Sequence, residues 1–383
     1  MKLMHLSDLH IGKRVNEFNM LEDQQHILSQ ILKTVEQEKP SGILIAGDIY
    51  DKSQPSAEAV ELLDDFLTKL VAFGQPVFMI SGNHDSPERL GFGSRIMKTN
   101  GLHIAGVFDG TMQKEALTDE FGPVNIYLLP FLKPALVRPY FEQSIESYTD
   151  AVQAVITAAN IDINERNVLV SHQFVTNGAQ QPVRSESESV SVGGLDNVDT
   201  SVFDGFDYVA LGHLHGPQGI GLDTIRYAGS PLKYSFSEAR QKKSITILEL
   251  GDKNNVEIRL IPFVPLRNMR EIKGPIAELM RAGAEDAVGA HDYIHATITD
   301  EEEVYDAIGQ LRQIYPNIMN IDFENSRTLQ LVSSKTAASG DVAQKSPMEL
   351  FAEFYQNQNN CEMTPEQIQM MQKIFEKAGG VGA

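Results

Sequence analysis

Five short apolar runs in this chain each lead into a cluster of Asp, Asn or His, and no other feature constrains the fold so tightly. LMHL (3–6) leads into Asp8-Leu9-His10, GILIA (42–46) into Gly47-Asp48, and PVFMI (76–80) into Gly82-Asn83-His84-Asp85. NVLV (167–170) leads into Ser171-His172, and DYVAL (207–211) into Gly212-His213-Leu214-His215. The runs are short, rich in branched residues and bounded by turn formers, which marks them as strands. Amphipathic patterns near 20–38 and 57–72 predict helices between the early ones, the rhythm of an α/β fold. Sites in open α/β sheets form outside the carboxyl ends of strands, so five loops would deliver polar side chains to one place. The later runs IRYAG and SITILEL have little helix between them, which predicts a second, more antiparallel sheet packed on the first.

The residue types then indicate the chemistry. Side chains two apart on extended backbone point the same way, so Asp8/His10 and His213/His215 are each expected to aim a pair of donors into the pocket. Glycines at 47, 82 and 212 would let backbone approach a crowded site. Imidazole and carboxylate donors without thiolate suit Mn, Fe or Zn. The seven candidates, Asp8, His10, Asp48, Asn83, His172, His213 and His215, are too many for one such ion. They suit two ions sharing a carboxylate, with Asp48 as the bridge. Two ions about 3.5–4 Å apart clamp the attacking and leaving oxygens of an in-line displacement and lower the pKa of a water. Hydrolysis of a phosphate ester is the expected reaction. The other five of the ten histidines, His5, His26, His103, His291 and His295, read as ordinary surface or core residues.

A net charge of −20 argues against a chain that grips nucleic acid unaided, since phosphate binding usually leaves a basic footprint. Metal ions or a partner would have to supply the positive charge. The best basic stretch is Arg226, Lys233, Arg240, Lys242 and Lys243 against Glu238, followed by Arg267, Arg270 and Lys273 against Glu271. Cys361 is the single cysteine, and no run approaches a membrane span, so a soluble cytoplasmic protein is expected. No G-x-x-x-x-G-K-[ST] loop occurs, so no nucleotide is expected to bind.

Four segments are expected: a catalytic domain over 1–265, a small α+β module over 266–330, a polar linker over 331–345, and helices over 346–383. The module predicts helices around 275–283 and 301–314 and strands at 293–298 and 318–323. The tail helices open on Ser346-Pro347-Met348-Glu349 and Thr364-Pro365-Glu366-Gln367, both capping boxes with Pro at the first helical position. They carry an apolar stripe of Leu350, Phe351, Phe354, Ile368, Met371, Ile374 and Phe375, which suits docking onto a partner. The polar loop 179–194 is expected to shape access to the site.

DLH, GD, GNHD, SH and GHLH in this order resemble the calcineurin-like metallophosphoesterases. LSDLHIGKR, AGDIYDKSQPS, ISGNHDSPERL, YVALGHLHGPQ, YAGSPLKYSFSE and the tail SPMELFAEFY are more closely similar to the SbcD-type nuclease subunits of bacterial SbcCD complexes. The resemblance implies an α/β/β/α sandwich of two sheets, with a capping domain that contacts DNA and C-terminal helices. It implies one Mn²⁺ held by Asp8, His10, Asp48 and His215 and a second held by Asp48, Asn83, His172 and His213, with Mg²⁺ as a substitute. His84 would be the catalytic histidine, with Asp85 either orienting it or forming a turn. Some relatives carry a histidine where this chain has Asp51. The implied activity is a 3′–5′ double-strand exonuclease and hairpin-opening endonuclease in DNA recombination, repair and replication. The implied assembly is a homodimer within a heterotetramer with an SMC-like ATPase of the SbcC type. Helix 56–72 or 92–99 would supply the pairing face. Two alternatives are a small-molecule phosphodiesterase or phosphatase, and a non-catalytic scaffold. The Gly47–Ser53 segment lacks the arginine that many monoesterases place after their GD motif, which favours a diester.

Overall fold

The computed structural model describes residues 1–178, 180–188, 196–326, 328, 347–359 and 362–379. The expected linker 331–345, the Ser346 cap, and residues 179 and 189–194 of the polar loop lie outside the described residues.

The first sheet is built from β1 (Lys2–Leu6), β2 (Gly42–Ala46), β3 (Val77–Ile80) and β4 (Leu102–Ala105), all mutually parallel. The second takes β5 (Gln113–Asp119), β6 (Gly122–Leu129), β7 (Arg166–His172), β8 (Tyr208–Gly212), β9 (Gln218–Ile220) and β10 (Leu222–Tyr227). The chain then returns to the first sheet with β11 (Ser244–Leu250) and β12 (Val256–Pro262). The orders are β12-β11-β1-β2-β3-β4 and β9-β10-β8-β7-β6-β5.

The second sheet is not the more antiparallel one. Its inner strands β6, β7, β8 and β10 run parallel, and antiparallel pairs occur only at β5 and β9 on its two edges. SITILEL forms β11, which pairs antiparallel with β1 in the first sheet. Each sheet therefore has the same balance of parallel and antiparallel pairs. A short connection predicts an antiparallel neighbour, but the long-range partner of SITILEL left no local trace.

Alternation along the strands makes the layers. Leu3, Leu44, Phe78 and Ile80 of the first sheet meet Ile126, Leu128, Val168, Val170 and Ala210 of the second in one buried cluster. The intervening residues Met4, Ile43, Ile45 and Met79 are also fully buried, so the other face is covered too. Helices α1 (Leu21–Glu38) and α2 (Ala57–Val71) bury Ile27, Ile31, Val35, Leu63, Phe66 and Leu70. On the far face of the second sheet, Tyr127, Leu129, Leu169, Val209 and Leu211 pack with Ala151, Val152 and Val155 of α3 (Tyr148–Ala158). His5 is core: its Nδ1 lies 3.0 Å from the Tyr208 hydroxyl, and burial lowers its pKa to about 3. The result is an α/β/β/α sandwich whose strands deliver five loops to one end.

The chain divides into two compact units at Met269/Arg270. In the second, β13 (Met269–Gly274), β14 (Tyr293–Ile298) and β15 (Ile318–Phe323) form a three-stranded sheet. Helices α4 (Ile276–Glu285) and α5 (Ala307–Arg312) bring Leu279 and Leu311 into a core with Ile294, Ala296, Ile298, Tyr315 and Ile318. The helix expected over 301–314 starts only at Ala307, because Asp306 caps it by accepting from the Gly309 N–H. The tail forms α6 (Pro347–Asn359) and α7 (Pro365–Gly379). The Thr364 capping box is reciprocal: Thr364 N–H donates to Gln367 Oε1 at 2.8 Å, and Gln367 N–H to Thr364 Oγ1 at 3.4 Å.

Candidate metal centre

All seven candidate donors converge at the carboxyl ends of the inner strands. The loops after β1 and β2 run side by side, with Asp8 N–H on Gly47 O, His10 N–H on Asp48 O and Ile11 N–H on Ile49 O. This pairing places Asp8, His10 and Asp48 together. Asp48 Oδ2 lies 3.6 Å from His10 Nε2 and 3.3 Å from His172 Nε2, between two groups of donors. On one side His10 Nε2 and His215 Nε2 are 3.1 Å apart, next to Asp8. On the other, Asn83 Oδ1 lies 3.0 Å from His172 Nε2 and 2.8 Å from His213 Nδ1.

Backbone strain concentrates here. Among the described residues, ten non-glycine positions have positive φ, and Asp8 (52°), His10 (44°), Asp48 (50°) and His213 (107°) are four of them. Such conformations cost about 1–3 kcal/mol each and persist where surrounding structure enforces them. For the second pair they also refine the expectation drawn from strand alternation. His213 and His215 do not point together: His213 turns toward Asn83 and His172, whereas His215 turns toward His10. Left-handed turns, rather than the pleat, aim these side chains. The glycines do allow close approach. A Cβ on Gly47 would lie 2.5 Å from His172 Nδ1, and one on Gly82 would overlap Asp48.

The donor set fits divalent cations. Asp8 Oδ2 and His213 Nε2 are buried with no hydrogen-bond partner among the described residues. Leaving such atoms unpaired is costly unless a ligand satisfies them. Burial pushes His10 well below the ordinary imidazole range and His213 down to about 3, so both keep a lone pair to offer. Burial also opposes a charge on His172, but the Asp48 carboxylate outweighs it and carries the pKa to about 9. A cation would compete with that proton.

A second layer holds the candidate ligands in place. His172 Nδ1 donates to Ala46 O at 2.8 Å, which turns Nε2 toward Asp48. Gln24 Nε2 donates to His10 O at 2.7 Å, and the buried Tyr234 hydroxyl to Leu9 O at 2.6 Å. Around His215, Ser187 Oγ bonds Nδ1 at 2.7 Å and also donates to Glu238 Oε1. Glu188 Oε1 accepts from His215 N–H at 2.8 Å. Lys243 Nζ, itself buried, reaches Glu238 Oε2 at 2.5 Å, His215 O at 2.7 Å and Ser230 Oγ at 2.9 Å. Sequence reasoning missed this layer. The only hint was the run of Ser and Glu in the polar loop, which packs on His215 through Ser187 and Glu188.

Two readings left open by the sequence are narrowed. Asp85 does not spend its carboxylate on orienting His84. It accepts from the N–H groups of Ile49 (3.1 Å), Tyr50 (2.9 Å) and Gly82 (2.9 Å) and so ties two ligand loops together. Burial raises its pKa to about 6. His84 is oriented instead by the Asp51 carbonyl, 2.9 Å from Nδ1, and its ring stands edge-on to His10. Nor is the basic stretch 226–243 a free phosphate-binding face. Lys243 is buried on Glu238, and Lys233 bonds Ala239 O and Asn268; Arg240 and Lys242 are exposed. Arg267 pairs with Glu22 and Asp23, Arg270 with Asp286 and Asp292, and Lys273 with Glu324.

Comparison by sequence with known proteins identifies the family. The sequence model of calcineurin-like phosphoesterases matches residues 1–217, and one described as the type 5 capsule protein repressor C-terminal domain matches residues 265–359. The chain is 34% identical to the SbcD subunit of the nuclease SbcCD of Staphylococcus epidermidis over 385 aligned residues, covering 98% of each protein. A dimetal phosphatase from Danio rerio is similar in structure at 12% identity, covering 68% of this chain and 95% of that one, with a TM-score of 0.39. TT1561 of Thermus thermophilus is also 12% identical, covering 68% and 98%, with a TM-score of 0.37. No described helix is long and apolar enough to cross a membrane. The match over more than half the chain, together with a full-length relative, shows that the chain belongs to the calcineurin-like phosphoesterases and, within them, to the SbcD family of nuclease subunits.

Proposed function

We propose that this chain is the nuclease subunit of an SbcCD-type complex, hydrolysing DNA phosphodiesters with two Mn²⁺ ions. The observation that carries this is the convergence of seven donors from five loops on the two sides of Asp48. Asp8, His10, Asp48 and His215 would hold one ion, and Asp48, Asn83, His172 and His213 the other, with Mg²⁺ as a substitute. When bound, the pair would supply positive charge to the phosphodiester and favour ionisation of a water near neutral pH. The chain's own residues do the rest. Asp85 and the Asp8–Gly47 pairing keep the loops in register, so the donors are held before substrate arrives. His84 is half-buried beside His10, with Nδ1 committed to the Asp51 carbonyl. The proton it exchanges with the leaving 3′ oxygen would ride on Nε2. Asp51, where some relatives carry histidine, contributes that carbonyl and binds Lys13 Nζ at 2.7 Å.

The substrates would be double-stranded ends, cut 3′ to 5′, and hairpins, in DNA recombination, repair and replication. The unit from Arg270 would contact DNA as a cap. The partner would be an SMC-like ATPase of the SbcC type, which also answers the charge of −20. Phe354, Ile368, Met370 and Ile374 expose apolar surface on the tail helices, which suits such docking. Phe92 (82% exposed) and Ile96 (75%) lie in the connection between β3 and β4, where two copies would pair within a heterotetramer. A His84→Ala variant should retain its Mn²⁺ stoichiometry and lose hairpin cleavage by about 10²-fold or more. Full cleavage by that variant, or strong p-nitrophenyl phosphate turnover without DNA cleavage by the parent, would overturn the proposal. Deleting 346–383 should abolish co-purification of the ATPase and spare metal binding.

A further inference from the structure

Four rings, two of them candidate donors, form a chain of edge contacts, and a cation lies against each terminal ring. Phe131 meets His172 edge-on at 6.2 Å, His172 meets His213 at 5.3 Å, and His213 meets Phe174 at 6.3 Å. At one end Lys133 Nζ lies 5.9 Å from the Phe131 centroid. At the other the Arg184 guanidinium lies 3.9 Å from the Phe174 centroid. The two cations come from separate segments, Lys133 from beyond β6 and Arg184 from the polar loop, and both are exposed. Two further cations close to the centre, Lys13 and Lys243, are committed to Asp51 and Glu238.

We propose that Lys133 and Arg184 form a two-ended grip for a nucleic-acid backbone, with the scissile phosphate between them. The grip rests on the DNA reading given above and names the surface that reads a polymer. Each cation is one ring removed from a proposed ligand, so it reaches a flanking phosphate and not the one being cut. A small diester has a single phosphate and cannot span the four rings. Stacking on Phe174 restrains the Arg184 fork without neutralising it, and guanidinium suits bidentate phosphate contacts. Phe174 is buried, so it serves as a support for Arg184 and not as a base-stacking platform. In a chain of net charge −20, two placed cations beside a metal pair give the backbone a local path that the overall field opposes.

The test uses the full chain with Mn²⁺, turning over bis-p-nitrophenyl phosphate while a short oligonucleotide competes. Lys133→Gln and Arg184→Gln should each raise the oligonucleotide Ki by about fivefold, and each should lower the salt slope of log Ki by about 1. Turnover of the small diester should stay at the parent value in both variants. Arg184→Lys should fall between parent and Arg184→Gln, because it keeps charge but loses the fork. Unchanged Ki and slope in the Lys133→Gln/Arg184→Gln double variant would overturn the grip while leaving the DNA reading intact. An equal loss of small-diester turnover would also overturn it, by placing both residues in the metal centre's own support. A parent that turns over the small diester but is not inhibited by the oligonucleotide would overturn the DNA reading and the grip together.

Discussion

Replacing Lys243 by Met tests whether the layer behind His215 is structural at the energies its burial implies. Lys243 and Glu238 are both buried and meet at 2.5 Å, and Lys243 also bonds the carbonyl of the proposed ligand His215. Burial alone would push the Glu238 carboxyl up, but its interactions with His215 and the Lys243 ammonium outweigh this and hold it below the usual range. Lys243→Met removes that counter-charge and leaves a carboxylate in a dry site. Breaking a buried pair in this way costs about 3–5 kcal/mol, whereas replacing both partners by apolar groups costs much less. The Glu238→Leu/Lys243→Met double variant should therefore be more stable than the two single losses predict, with a coupling above about 1 kcal/mol. The chain has no tryptophan, so urea unfolding is followed by circular dichroism, in chelator. Mn²⁺ affinity, measured separately by titration calorimetry, should fall about 10–100-fold in Lys243→Met as His215 loses its backbone anchor. A Lys243→Met loss below about 1 kcal/mol, or strictly additive effects, would refute the reasoning.

Gly82→Ala forces a Cβ onto Asp48 and should cut the bound Mn²⁺ after dialysis to one per chain or fewer; an undiminished stoichiometry contradicts the bridging position. Asp85→Ala strips an acceptor from three amides and should lower stability by about 2–3 kcal/mol, with Asp85→Asn recovering part of it in thermal melts. Arg166 forms a two-point pair with Asp119, at 2.5 and 3.2 Å, and holds that carboxyl well below its usual range. Its contribution is thus complete above the ordinary carboxylate pKa and fades as pH falls below about 4. Asp119→Asn should lose about 1 kcal/mol at pH 7 and converge with the parent in acid; an equal gap at both pH values would count against the pair.

The convergence of the candidate donors was legible because each cluster sits directly after a strand, where local apolar pattern and turn residues are printed side by side. GILIA followed by Gly47-Asp48 needs no long-range information to place Asp48 at a sheet edge. The parts that were not legible depend on partners far away in the chain. SITILEL reads as a strand, but its pairing with Lys2–Leu6 spans the whole first unit. Lys243 reads as a surface cation until Glu238 and His215 close around it. The divergence of His213 from His215 is set by a φ of 107° that a two-residue spacing cannot reveal. Asp85 looked like a turn residue or a partner for His84, and only the backbone amides converging on it give it a role.

The central claim is that Asp48 bridges two cations held by seven side chains. Anomalous scattering at the Mn and Zn edges, from crystals grown with Mn²⁺, tests it directly. Two Mn peaks are expected about 3.5–4 Å apart on either side of Asp48. One should lie against Asp8, His10 and His215, and the other against Asn83, His172 and His213. A single peak, or two peaks with Asp48 bound to neither or only one, would contradict it.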